Sequence, residues 1–181
     1  MRSASTLVSL LSASALLAGA ANAAEFELGL NDDVVSTQVT GQLMQGLNGS
    51  AGYIYSEPEG HLAQVGLALT HDAGAHHLQF GGKLTHVWAD DRPNGTVLSV
   101  GGKYQLNLGS NLYWQNTAYY TPSVLAFGDM EGHYELGSGV GYDLTPQMGF
   151  YAGYRYIRFE YEHARNETFD TGFYLGVKAR F

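Results

Sequence analysis

Apolar and polar residues alternate along most of this chain with the two-residue period of a β-strand, not the 3.6-residue period of a helix. The closing segment shows it best: Phe173, Leu175, Val177, Ala179 and Phe181 share one face, and Gly172, Tyr174, Gly176, Lys178 and Arg180 share the other. Leu78, Phe80, Gly82 and Leu84 oppose Gln79, Gly81, Lys83 and Thr85 in the same way. So do Leu98, Val100, Tyr104 and Leu106 against Ser99, Gly101, Lys103 and Gln105, and Tyr134, Leu136, Val140 and Tyr142 against Glu135, Gly137, Gly139 and Gly141. The pattern predicts ten strands, near residues 25–31, 34–43, 50–56, 61–71, 76–88, 96–106, 111–120, 132–143, 148–160 and 169–181. The seventh is the least regular, because Asn116 interrupts the apolar face of Leu112, Trp114, Ala118 and Tyr120. All four prolines fall in the connections, where no ladder hydrogen bond is lost.

Two architectures bury such strands. A soluble sandwich hides the apolar faces between two sheets, whereas a membrane barrel turns them to lipid around a polar lumen. Most of the segments approach the roughly 9–11 residues that a tilted strand needs to cross a bilayer. Tyr and Phe concentrate near strand ends, as interfacial girdles require, and the chain finishes on the aromatic Phe181. These features favour an all-β fold, a closed antiparallel transmembrane β-barrel of about ten strands, over the sandwich. An even strand number returns both ends to one side, so the short connections face the periplasm and the longer ones face outward.

Residues 1–23 read as a secretory signal peptide: Arg2, an apolar stretch from Leu7 to Ala18, and the small-x-small site Ala21-Asn22-Ala23. Residues 24–181 then form the barrel domain, and the apolar stretch of the leader is too short to anchor the chain as a helix. Charged residues make up only 14 % of the chain, against about 25 % in an ordinary soluble domain. Acids outnumber Lys and Arg 17 to 9, which excludes nucleic acid as a partner. The absence of cysteine rules out a disulfide framework and a thiol nucleophile. Twelve of the 17 acids fall in the expected outer loops and their flanks, among them Asp129, Glu131, Glu167 and Asp170.

Lys83, Lys103, Glu135 and Arg155 occupy the polar strand faces and are expected to line the lumen, either as a charged constriction or as a network that plugs it. The long connection from Thr121 to Glu131 is expected to fold back over the outer opening, with Leu125, Phe127 and Asp129 as its candidate gate and Leu125 and Phe127 as anchors. Pairs such as His133 with Asp129 and Glu131, or His163 with Glu160 and Glu162, could serve a rim enzyme acting on lipid or peptide. They match no specific motif, so no enzyme is expected. His71, His76 and His77 flank an inner turn without a completed ligand set, and neither metal nor cofactor is expected.

The sequence as a whole resembles the YfaZ family of outer-membrane proteins. The resemblance rests on Phe26-Glu27-Leu28-Gly29-Leu30-Asn31-Asp32-Asp33, Gly101-Gly102-Lys103-Tyr104, Gly153-Tyr154-Arg155-Tyr156-Ile157 and Gly172-Phe173-Tyr174-Leu175-Gly176-Val177. Its most specific part is the run from Tyr119-Tyr120-Thr121-Pro122 through Phe127-Gly128-Asp129. It implies a bacterial outer-membrane location and brings no substrate or reaction with it. The functional expectation is a structural barrel or a narrow small-solute pore with acidic outer loops. The alternatives are the rim enzyme or a surface interaction protein. Expected partners are outer-membrane lipid, lipopolysaccharide and the barrel-assembly machinery.

Overall fold

A strand that shows one face to lipid must pair both of its edges, because hydrocarbon offers no partner to a free amide. The computed structural model, which describes residues 24–181, satisfies this by closing one sheet on itself. The signal peptide expected over residues 1–23 lies outside the described residues. The wall consists of β1 (Ala24–Leu30), β2 (Val34–Met44), β3 (Leu47–Ser56), β4 (Gly60–Ala73), β5 (His76–Ala89), β6 (Gly95–Gly109), β7 (Leu112–Thr121), β9 (Met130–Thr145), β10 (Met148–Tyr161) and β11 (Glu167–Arg180), with β8 (Ala126–Gly128) as a short insert. Each of the ten long strands pairs antiparallel with its neighbours, and the first strand meets the last over Glu25↔Arg180 to Leu30↔Leu175. The seam is completed by paired backbone bonds between Ala24 and Phe181, at 2.8 and 2.9 Å.

The ten long strands coincide with the ten segments read from the alternation. The irregular one, β7, keeps its apolar side outward, with Asn116 opposite Ser138 and the Trp114 indole N–H donating to the Ser138 hydroxyl at 3.1 Å. The four inner connections are two residues each, at 45–46, 74–75, 110–111 and 146–147, and the five outer ones are longer. At the third inner turn both residues take positive φ, Ser110 at 52° and Asn111 at 66°. Two such residues in succession form the mirror-image turn whose twist suits a two-residue hairpin.

The connection after β7 behaves differently from the expected cover. A short 3-10 turn, Ser123–Leu125, leads into β8, which pairs with the outer end of β6 at Gly95↔Gly128, Thr96↔Phe127 and Val97↔Ala126. Since β7 stops at Thr121, this segment takes up the hydrogen bonds that β6 would otherwise leave unpaired and continues the wall. The lipid face is correspondingly bare, with Phe173 82 % and Leu175 69 % exposed. Aromatic pairs such as Tyr154 with Phe173 and His61 with Trp88 lie along it, with ring centroids 5.3 and 5.0 Å apart.

A sheet with no free edge should stay folded in sodium dodecyl sulfate until heated. We expect unboiled and boiled samples of the purified protein to differ in gel mobility; identical migration of fully folded starting material would contradict closure.

Candidate functional site

Inward positions of a ten-stranded barrel crowd a narrow axis, so the chemistry that the chain can perform through its middle is set by which side chains meet there. The side chains of Lys83, Lys103, Glu135 and Arg155 all project inward. They do not form one network of four. Lys83 on β5 pairs with Glu135 on β9 and stands 4.1 Å over the Tyr119 ring, while Gln64 donates to the same carboxylate at 3.5 Å. Arg155 turns instead to Asp170, at 2.5 Å, and Asn31 donates to the other oxygen of that carboxylate at 2.9 Å. Lys103 reaches Glu27 at 3.6 Å.

The lower lumen adds partners to these four. Lys178 contacts both Glu25 and Glu27, at 3.5 and 3.3 Å, and Arg180 contacts Glu25 and Asp143, at 2.8 and 3.1 Å. Five cations thus face five carboxylates, Glu25, Glu27, Glu135, Asp143 and Asp170, and the lumen carries no net charge from them. Lys178 and Arg180 were legible as polar-face residues. Asp170 shares their parity but was expected in the outer loop; β11 extends through it, so its carboxylate enters the lumen.

Inward glycines make room for inward tyrosines. In one rung across the wall, Tyr113, Gly141, Tyr151 and Gly176 follow one another on β7, β9, β10 and β11. A Cβ on Gly141 would sit 2.1 Å from the Tyr113 ring, and one on Gly176 would sit 2.2 Å from the Tyr151 ring. The rings fill the axis that the glycines vacate. The space left includes a polar cavity of about 150 Å³, which runs from Glu25, His77 and Gln105 near the inner turns up to Ile54, Glu135 and Arg155.

Above this level the same inward parity turns apolar. Val34, Ile54, Leu62, Val87, Val97, Met130, Ile157, Phe159, Tyr161 and Phe169 form one cluster inside the outer half of the barrel. Leu62, Val97 and Ile157 are 0 % exposed. Phe169 owes its inward position to the bulge opposite Ile157 and Arg158. At the junction, His133 is wholly buried, shares a 3.1 Å hydrogen bond with the Ser99 hydroxyl and packs 4.7 Å from the Phe159 ring. Ser99 in turn shares a 2.7 Å bond with Thr121. His133 therefore faces the barrel interior and not the rim carboxylates at Asp129 and Glu131.

The three gate candidates lie elsewhere. Leu125 is partly buried in the 3-10 turn, Phe127 is half exposed on the outer surface opposite Thr96, and the exposed Asp129 accepts the Glu162 N–H through its carbonyl at 3.0 Å. Neither Leu125 nor Phe127 anchors the segment across the lumen; Ala126 and Met130 are its contacts with the apolar cluster. Two outer connections meet through Arg92, whose guanidinium donates to the Arg165 carbonyl at 3.2 Å and lies 3.6 Å from Glu167. Like Asp170, Glu167 is buried and not a solvated loop tip. At the opposite end, His77 shares hydrogen bonds with Asp72 and Asn107, at 2.7 and 2.9 Å. Among the described residues no three His, Cys, Asp or Glu are grouped to hold a metal.

A family described as YfaZ precursor matches residues 3–181. The outer membrane protein YfaZ of Escherichia coli (strain K12) is 28 % identical over 137 residues, covering 75 % of this chain and 76 % of that protein. Among solved structures, the KdgM porin covers 88 % of this chain and 99 % of its own, at a TM-score of 0.48 and 11 % identity. The outer membrane channel DcaP of Acinetobacter baumannii covers 82 % of this chain and 51 % of its own, at a TM-score of 0.46 and 10 % identity.

The Lys83–Glu135 pair gives a test of how the lumen charges are held. Removing one partner of a buried pair leaves the other uncompensated, so Lys83→Met is expected to destabilise the folded barrel by about 3–5 kcal/mol. The double change Lys83→Met with Glu135→Leu should recover most of that loss in a denaturant titration. Equal stability of wild type and Lys83→Met would show that the pair is solvated.

Proposed function

The chain belongs to the YfaZ family of outer-membrane proteins, and from that premise we propose that it is a structural barrel, closed to solutes in the conformation described, with a blind polar vestibule on the periplasmic side. One observation carries the reading: the outer half of the lumen is packed with apolar side chains, where an aqueous pore needs a continuous polar lining. Water entering from the inner rim meets Leu62, Val87, Val97, Ile157, Phe159 and Phe169, each at most 1 % exposed.

The charge pattern supports the same reading. A selectivity filter presents an excess of one sign to the permeating ion, as a ring of carboxylates does for cations. Here each lumen cation has a carboxylate partner, so the charges rigidify the wall and leave none free for an ion. A narrow pore would require the apolar cluster to move aside, which would expose several large side chains to water. Nor does the rim favour an enzyme. His133 is sealed inside, and the exposed His163 lies 4.0 Å from the similarly exposed Glu162, with no hydrogen bond to a hydroxyl among the described residues.

Planar-bilayer recording tests the proposal. The wild-type protein is expected to give no steady conductance, whereas Ile157→Ala combined with Phe159→Ala should open a path through the cluster and produce discrete openings. Steady conductance by the wild type at low voltage would overturn the closed barrel. Silence of the folded double variant would place the barrier lower, among the ion pairs and tyrosines.

A further inference from the structure

Lys and Arg residues are distributed unevenly between the two faces of the wall. Lys83, Lys103, Arg155, Lys178 and Arg180 point into the lumen, and Arg92 and Arg165 sit in outer connections. Among the described residues only Arg158 carries such a charge on the lipid face. Its neighbours on β10, Ile157 and Phe159, point inward and are buried, so strand alternation fixes its outward direction.

Among the described residues no carboxylate lies within ion-pair distance of Arg158. Its guanidinium touches the Tyr156 hydroxyl at 3.4 Å; its Nε is buried beneath the side chain, without a hydrogen-bond partner among the described residues. Glu160 follows on the same face and acts through space on Arg158 and Tyr134, but its carboxylate lies against Gly132 on the adjacent strand and makes no ion pair with Arg158. An unpaired cation on a surface facing hydrocarbon needs a counter-charge from the membrane itself.

The height of Arg158 says which part of the membrane supplies it. Met148 begins β10 at the inner end, and ten residues of strand tilted by about 40° rise about 25 Å, the height of the apolar band of such barrels. Arg158 therefore stands at the outer boundary of the hydrocarbon, where lipid phosphates lie. Phenols surround it. Tyr134 is its cross-strand partner, Tyr120 packs against Tyr134 with tilted rings whose centroids are 5.1 Å apart, and Tyr156 lies on its own strand. Guanidinium and phenol hydroxyls together can donate to the several oxygens of one phosphate.

We propose that Arg158, with Tyr134 and Tyr156, binds a phosphate of the outer-leaflet glycolipid, lipopolysaccharide. The inference rests on the placement of the chain in the outer membrane with its short turns in the periplasm, and not on whether the lumen conducts. Glu160 limits the affinity, because its negative charge stands one rung above the site on the same face.

Native mass spectrometry of the full-length protein in detergent tests it, with lipid A, enzymatically dephosphorylated lipid A and phosphatidylglycerol as separate probes. The expected result is retention of one lipid A by the wild type and no retention of the dephosphorylated form. Arg158→Gln should weaken lipid A binding about tenfold, the scale of one charge-assisted contact. Arg158→Lys should keep part of the binding, and Glu160→Gln should strengthen it. Gel mobility before boiling confirms that each variant is folded. If Arg158→Gln does not fold, the order Glu160→Gln above wild type above Arg158→Lys supports the site and equal retention by all three overturns it. Equal retention by Arg158→Gln, or of dephosphorylated lipid A, overturns the site as well. Equal retention of phosphatidylglycerol overturns its assignment to lipopolysaccharide.

Discussion

Hydrocarbon will not solvate an unpaired backbone amide, and everything else in this structure follows from meeting that demand with one closed sheet. Closure is achieved where β1 meets β11, so residues at opposite ends of the chain become direct neighbours. The same demand explains β8. Where β7 ends early, the following segment folds back to pair with β6, and a connection that could have spanned the mouth is used to finish the wall.

Closing only ten strands leaves an interior narrow enough that side chains fill it. Two filling materials are used at different heights. Nearer the short turns, ion pairs and tyrosine rings set against glycines occupy the axis and leave a small polar vestibule. Nearer the outside, apolar residues pack as they would in the core of a soluble protein. The two layers have separate consequences. Charges buried in the wall must be matched one for one, which removes the field a selective pore needs. On the reading proposed above, the apolar layer excludes water without any loop acting as a lid. In a barrel of this width the lumen is part of the folding core, and a transport role would compete with stability for the same residues.

Much of this was legible from the two-residue period. The strand faces, the inward direction of Lys83, Lys103, Glu135 and Arg155, and the placement of turns all follow from alternation, which lipid on one side makes strict. What alternation hides is any break in register. Phe169 falls on the lipid parity of Phe173 and Leu175, yet the bulge near Ile157 turns it inward beside Asp170, which alternation already places there. Pair partners were not legible either: the inward charges could have combined in several ways, and only the stagger of strands around the barrel selects Glu135 for Lys83 and Asp170 for Arg155. The apolar layer left a trace in the sequence, since Val87, Val97, Ile157 and Phe159 interrupt the polar face near the outer ends of their strands. The Thr121 to Glu131 connection was misplaced because its length suggested a cover, whereas its role is set by where β7 stops.

The central claim is that the lumen is open to water from the periplasmic side and sealed from the outside. The chain has no cysteine, so a single one can report on this directly. Thr117, inward on β7 and lining the vestibule, would be changed to Cys, with Asp90→Cys in an outer connection as the exposed control. The barrel would be held in one orientation in vesicles and exposed to a small, charged, membrane-impermeant thiol reagent on either side. The account predicts that Thr117→Cys reacts when the reagent is on the side of the short turns and stays unmodified when it is on the side of the long loops. Reaction from the loop side at the rate of the Asp90→Cys control would mean a continuous water path, and would contradict the seal.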